Sequence, residues 1–236
     1  MGRIKVKMEI VRHETCLEYF RRRLSEGWKC ISLEGYHAVL LSPEGIRREL
    51  DLRNDVLTLR PNAAGDETNV PYQYPTSGSH WDKVDEASAD NGATYVMSIA
   101  NDYGRDLYAL PNHTTESGDI SSIIAYARCY ISGGYLGTRT SFKICIKTDS
   151  VVTEDEQTIN YGNWKTYSKT WAVNPADNQA WGWADIDAMQ VGIALRWGAE
   201  VGINASHMDT ECTQIYVEVN YTPVAAKTHS FGYIIG

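Results

Sequence analysis

"CTQIYVEVNYT", residues 212–222, places Ile215, Val217 and Val219 on one side of an extended chain and Tyr216, Glu218 and Asn220 on the other. Side chains that alternate with period two define a strand with one face for a core and one for solvent. Six more runs upstream share this β-branched and aromatic character. They are "ATYVMSIA" (93–100), "RDLYALP" (105–111), "ISSIIAYARCYI" (120–131), "TSFKICIKT" (140–148), "WKTYSKTWAV" (164–173) and "MQVGIALRW" (189–197). Seven strands with a single helical stretch, "WADIDAMQ" (183–190), predict a mainly β chain whose two antiparallel sheets pack as a sandwich over residues 80–223.

Residues 1–60 read differently. "RIKVKMEIV" alternates as a strand, and "HETCLEYFRRRLSEG" switches to helical spacing through Cys16, Leu17, Phe20 and Leu24, with Gly27 as its stop. "WKCISLEG" and the two halves of "YHAVLLSPEGIRRELDL", folded about Ser42-Pro43-Glu44-Gly45, complete a β-α-β-β order. One helix covers only one face of such a sheet, so this small α+β unit is expected to lean on the next domain or on another chain. Residues 61–79 are rich in Pro, Gly, Asn and Thr without periodicity and are expected as a linker or an extended crossing segment. The tail, 224–236, carries Phe231, Tyr233, Ile234 and Ile235, which are expected to pack on their own domain or to serve assembly with a neighbouring subunit.

The charge divides at the same place. Residues 1–60 hold 12 Lys/Arg against 9 Asp/Glu, whereas 61–236 hold 10 against 21. An acidic main part excludes a phosphate-tracking surface there, and no nucleic-acid partner is expected. Arg21, Arg22 and Arg23 form the one dense basic cluster, expected on a solvated helix face and as a candidate assembly contact. With no apolar run of 18 residues and no leader pattern, the expectation is a soluble chain made in the cytoplasm, without membrane insertion. Five cysteines lack CxxC or zinc spacing, and Cys129, Cys145 and Cys212 are expected as buried free thiols.

Catalytic patterns are missing from the sequence. Six histidines have no paired spacing, and there is no nucleophile elbow or phosphate loop. Glu86, Asp106, Asp185, Asp187 and Glu218 are the candidate acids for glycan cleavage, but sequence does not bring any two together across a cleft. The expectation is therefore a non-enzyme with no catalytic residues and no cofactor. In "SHWDKVDEASADNGATYV" (79–96) the spacing fails an EF-hand, since Ala87 and Ala89 stand where ligands are needed. Asp90-Asn91-Gly92 reads as a turn into a strand, with Trp81 and Val84 turned inward; a structural Ca²⁺ at Asp82, Asp85 or Asp90 is the alternative.

The chain has 15 Tyr and 7 Trp against 3 Phe, a bias to rings that work half-exposed and can stack on sugars. Of Trp164, Trp171, Trp181, Trp183 and Trp197, about three are expected in the core. Tyr135 and Trp197, beside loops, are the candidate ligand contacts.

"LYALPN", "KICIKT", "WAVNP", "WGWADIDAMQVGI" and "CTQIYVEVNYTP" together resemble a jelly-roll, concanavalin-like β-sandwich of tailed-phage and related virus structural proteins, over about residues 70–223. The preceding segment is similar to a small domain carried in front of such sandwiches. The resemblance implies a virion structural protein, such as a capsid decoration, head fibre or tail-associated component. It would be a homo-oligomer, expected as a trimer, in contact with other virion proteins. The alternative is a carbohydrate-binding or receptor-binding module that recognises a cell-surface glycan.

Overall fold

The computed structural model describes residues 16–34, 37–51, 55–132, 139–197 and 209–223. In chain order these form α1 (Cys16–Ser25), β1 (Lys29–Glu34), β2 (His37–Leu41), β3 (Arg47–Asp51), β4 (Asp55–Leu59), β5 (Ala63–Thr68) and β6 (Tyr72–Tyr74). A 3-10 turn (His80–Lys83) leads to β7 (Tyr95–Ser98), β8 (Gly104–Ala109), β9 (Gly118–Ser132), β10 (Arg139–Thr148), β11 (Val151–Asn160) and β12 (Lys165–Trp171). A short helix, α2 (Trp183–Ala188), precedes β13 (Gln190–Leu195) and β14 (Asp209–Pro223).

The described N-terminal elements run in the order α1, β1, β2, β3. α1 ends as its sequence demands, with the Trp28 amide donating to the Arg23 carbonyl and Gly27 at φ +89. β1, β2 and β3 form an antiparallel meander. Its tight connection is held by the Ser42 hydroxyl, which accepts from the Glu44 and Ile46 amides. The expected first strand, 3–11, lies outside the described residues.

The rest is mainly β, with two antiparallel sheets ordered β11-β10-β13-β8-β5 and β12-β9-β14-β7-β6, and β4 paired to β14. Alternation decides which side each residue serves. Ile123, Ala125, Ala127, Cys129 and Ile131 of β9 join Ile215, Val217 and Val219 of β14, Phe142, Ile144 and Ile146 of β10, and Val191, Ile193 and Leu195 of β13 in one buried cluster. A core fed by both sheets makes this a β-sandwich. Asp149 and Ser150, both at positive φ, make the two-residue turn of the β10–β11 hairpin.

The expected domain limits need correction. Residues 61–79 are no linker: β5 pairs with β8 and β6 with β7, so the segment supplies an edge strand to each sheet. β4, assigned by sequence to the first unit, pairs with β14 through Leu59↔Val217 and Leu57↔Val219. The sandwich thus takes in strands from Asp55 onward. α2 forms where the helical stretch was expected, and Cys129, Cys145 and Cys212 are buried and free.

Candidate functional site

The outer face of the six-stranded sheet is built from the residues that alternate with the core set: Tyr126, Arg128 and Tyr130 on β9, and Tyr216 and Glu218 on β14. Each ring finds a partner. Tyr126 and Tyr216 stack across the two strands with centroids 4.5 Å apart and planes within 10°. The Arg60 guanidinium sits 5.0 Å above the Tyr216 ring and donates to the Glu86 and Ala87 carbonyls. Tyr126 donates its hydroxyl to Glu218 at 2.8 Å; burial, then that bond, pushes its pKa to about 12.

Further along β9, Tyr130 meets Trp164 with centroids 5.2 Å apart. Here the face opens into a cleft of about 400 Å³ lined by Asn91, Arg128, Tyr130, Gly162, Asn163 and Trp164. A second depression, about 350 Å³, shares Gly162, Asn163 and Trp164 and adds Lys165 and Tyr167. Arg128 is fixed by two neutral acceptors, giving Nε–H to Asn91 Oδ1 at 2.7 Å and Nη1–H to Thr166 Oγ1 at 3.2 Å. The cleft therefore offers half-buried rings beside planar donors and acceptors.

One wall is the acidic loop of residues 85–94. Asn91 and Gly92 take positive φ, as the turn signal predicted. Asp90 locks the loop to the sheet: it accepts from the Gly92 and Thr94 amides, the Thr94 hydroxyl at 2.8 Å and the Thr213 hydroxyl at 2.6 Å. These bonds outweigh its burial and hold its pKa below the ordinary aspartate value. Four donors leave Asp90 acting as a turn anchor, and Asp82 is bound to Lys83 at 3.2 Å. Among the described residues no group of three His, Cys, Asp or Glu side chains stands together as a metal cage. Val84 is buried and Trp81 packs against the core, as expected.

The other sequence-predicted residues fare unevenly. Trp197 is half-buried and packs against the core, and its amide donates to the Ala100 carbonyl. Trp171 and Trp181 are buried and Trp183 packs on the core, which leaves Trp164 alone of the five on the open face. Tyr135 lies outside the described residues, as do Phe231, Tyr233, Ile234 and Ile235. Arg21 is exposed, while Arg22 and Arg23 each bind Glu26 at 2.8 Å and Arg23 covers the Trp28 ring.

The candidate acids are occupied structurally. Asp106, fully buried, accepts from the Val70 amide, from His80 Nδ1 at 2.6 Å and from the Tyr108 hydroxyl. Asp185 caps α2 by accepting the Gly182 amide, and Asp187 accepts both the amide and Nδ1 of His113. Glu86 shares the Thr94 hydroxyl with Asp90, and desolvation raises its pKa.

No family model matches the chain, and no curated protein is significantly similar to it. Among solved structures, "Family 16 Carbohydrate Binding Module-2" aligns with a TM-score of 0.31 and 10% identity, over 54% of this chain and 78% of that one. The Agl-KA catalytic domain aligns at 0.32 and 13%, over 75% and 29%. The CBM22-1-GH10 modules of Clostridium thermocellum xylanase 10B, complexed with xylohexaose, align at 0.31 and 14%, over 70% and 29%. The chain spans under a third of each of the latter two. Likeness at this level leaves function to the chemistry of the face itself.

Proposed function

We propose that this sandwich is a non-catalytic carbohydrate-binding module whose ligand lies along the outer face of the six-stranded sheet at the Tyr130–Trp164 cleft. The observation that carries the reading is the lining of that cleft: two half-buried rings 5.2 Å apart, beside the Arg128 guanidinium and the amides of Asn91 and Asn163. A pyranose has apolar C–H faces and an equatorial belt of hydroxyls, so it needs rings for the first and planar polar groups for the second. The described lining residues of the cleft include no carboxylate, whereas glycan hydrolysis by the usual route needs two across the bond.

The test is affinity electrophoresis and calorimetry of the chain against a panel of soluble polysaccharides. Trp164→Ala and Tyr130→Ala are expected to weaken binding at least tenfold while the fold persists. A panel without any binder would end the reading. A receptor-binding virion component would use the same face, so jelly-roll connectivity, virion location and trimeric assembly stay attached to the sequence resemblance as proposals of their own.

A further inference from the structure

We infer that the cleft takes a carboxylate-bearing glycan, a polyuronate, with Arg128 as the group that receives its charge. The inference rests on the carbohydrate-binding reading and names its ligand class. It begins from a contrast between the two outer faces of the sandwich. On the five-stranded sheet Arg105, Lys143 and Lys147 are neutralised within the protein, while Arg196 just beyond β13 bonds the Ser141 hydroxyl and lies over the Tyr103 ring. Arg105 makes a two-bond contact with Glu67 and a further bond to Glu154, Lys143 also holds Glu154, and Lys147 holds Asp66.

The cleft is different. Arg128 bonds to the Asn91 amide oxygen and the Thr166 hydroxyl, and among the described residues it contacts no carboxylate. This happens in a chain of net charge −8, where acidic partners are plentiful. Asp90, one residue from Asn91, turns its carboxylate to Gly92, Thr94 and Thr213 instead of to Arg128. Glu211, opposite Tyr130 in the sheet register, is buried and is not among the residues that line the cleft.

A guanidinium has five N–H donors in a planar fork, and the two bonds to neutral acceptors occupy two of them. They fix its plane without cancelling its charge, which prepares it for a two-bond contact with a carboxylate. Lys165 pairs with Cys129 in the register, so it stands on the other side of edge strand β12 and takes no part in this face. Two rings beside one guanidinium suit a sugar with an apolar face and an acidic group at its edge.

The experiment compares polygalacturonate with the same polymer after carboxyl reduction, which keeps the sugar chain and removes the charge. Binding to polygalacturonate is expected at least tenfold tighter than to the reduced polymer, and to fall steeply between low and moderate NaCl. Arg128→Gln should lose that preference and Arg128→Lys should retain part of it, with denaturation midpoints recorded for both to confirm folding. Equal binding of both polymers, or an unchanged preference in folded Arg128→Gln, overturns the acidic ligand and leaves the module reading intact. Failure to bind any polysaccharide in the wider panel overturns both.

Discussion

The Trp164 indole lies against Gly92: a Cβ built on that glycine would stand 3.2 Å from the ring's Cζ2, and the glycine itself sits at φ +102. The turn that leads into β7 therefore also supports the aromatic wall of the cleft. Gly92→Ala should cost about 2 kcal/mol through its left-handed backbone and should also shift the indole. Denaturant unfolding measures the first effect. Trp164 fluorescence, isolated by difference against Trp164→Phe, measures the second; an unmoved emission maximum would separate the turn from the site.

The sandwich was legible where strands are buried. β9, β10, β13 and β14 carry apolar residues at every second position, and each appeared as a run of the expected kind. β11, "VVTEDEQTIN", was missed because an edge strand can carry its charges on the open side, and Ile159 is its one deeply buried residue. β5 was missed because "AAGDET" packs by backbone approach: a Cβ on Gly65 would stand 2.6 Å from the Leu107 carbonyl oxygen, so no apolar period marks it. The ligand face was partly written in "ISSIIAYARCYI", whose outward set is Tyr126, Arg128 and Tyr130. What sequence could not supply is the meeting of Arg128 with Asn91, 37 positions away, and of Tyr130 with Trp164.

Asp106 is the polar hub beneath β8. Replacement by Ala would leave the Val70 amide, His80 and the Tyr108 hydroxyl without their acceptor. Each buried donor so stranded costs about 1–3 kcal/mol, so Asp106→Ala should lose at least about 3 kcal/mol. Asp106→Asn retains one acceptor oxygen, and the imidazole and hydroxyl can each accept in place of donating, so it should lose less. Urea denaturation of both variants orders them; equal losses would show that the charge, and not the acceptor geometry, is what matters.

Glu211 should make stability depend on pH in the opposite sense to Asp90. Burial, then the neighbouring charge of Asp209, raises its pKa, only partly offset by the Ser132 hydroxyl. A carboxyl with a raised folded pKa binds its proton more tightly when folded. Its unfavourable contribution is thus absent below the unfolded value and grows as pH rises through the folded one. Glu211→Gln should therefore be more stable than the parent at pH 7, with the difference vanishing below about pH 4. For Asp90, whose folded pKa is lowered, stability is present above the unfolded value and is lost as pH falls through the folded one. Unfolding of Asp90→Asn and Glu211→Gln across pH 3–8 should give difference curves of opposite slope.

Thiol reactivity tests the packing of the sheets directly. Cys129 and Cys212 face each other in the β9–β14 register, both fully buried, and desolvation followed by the neighbouring sulfur pushes the Cys129 thiol well above its ordinary pKa. Cys145, under the charged outer face of the five-stranded sheet, is raised to about 12, chiefly by burial. The thiolate is the reactive form, so burial opposes attack at all three positions and the raised pKa opposes it further at Cys129 and Cys145. Cys30 is exposed on β1. Of these four, native protein treated with a maleimide should be modified at Cys30 alone, and all four should react in denaturant, as peptide mass mapping would show. Native modification at Cys129 or Cys212 would mean that β9 and β14 part readily, and the aromatic face they carry could not then be a rigid platform for a ligand.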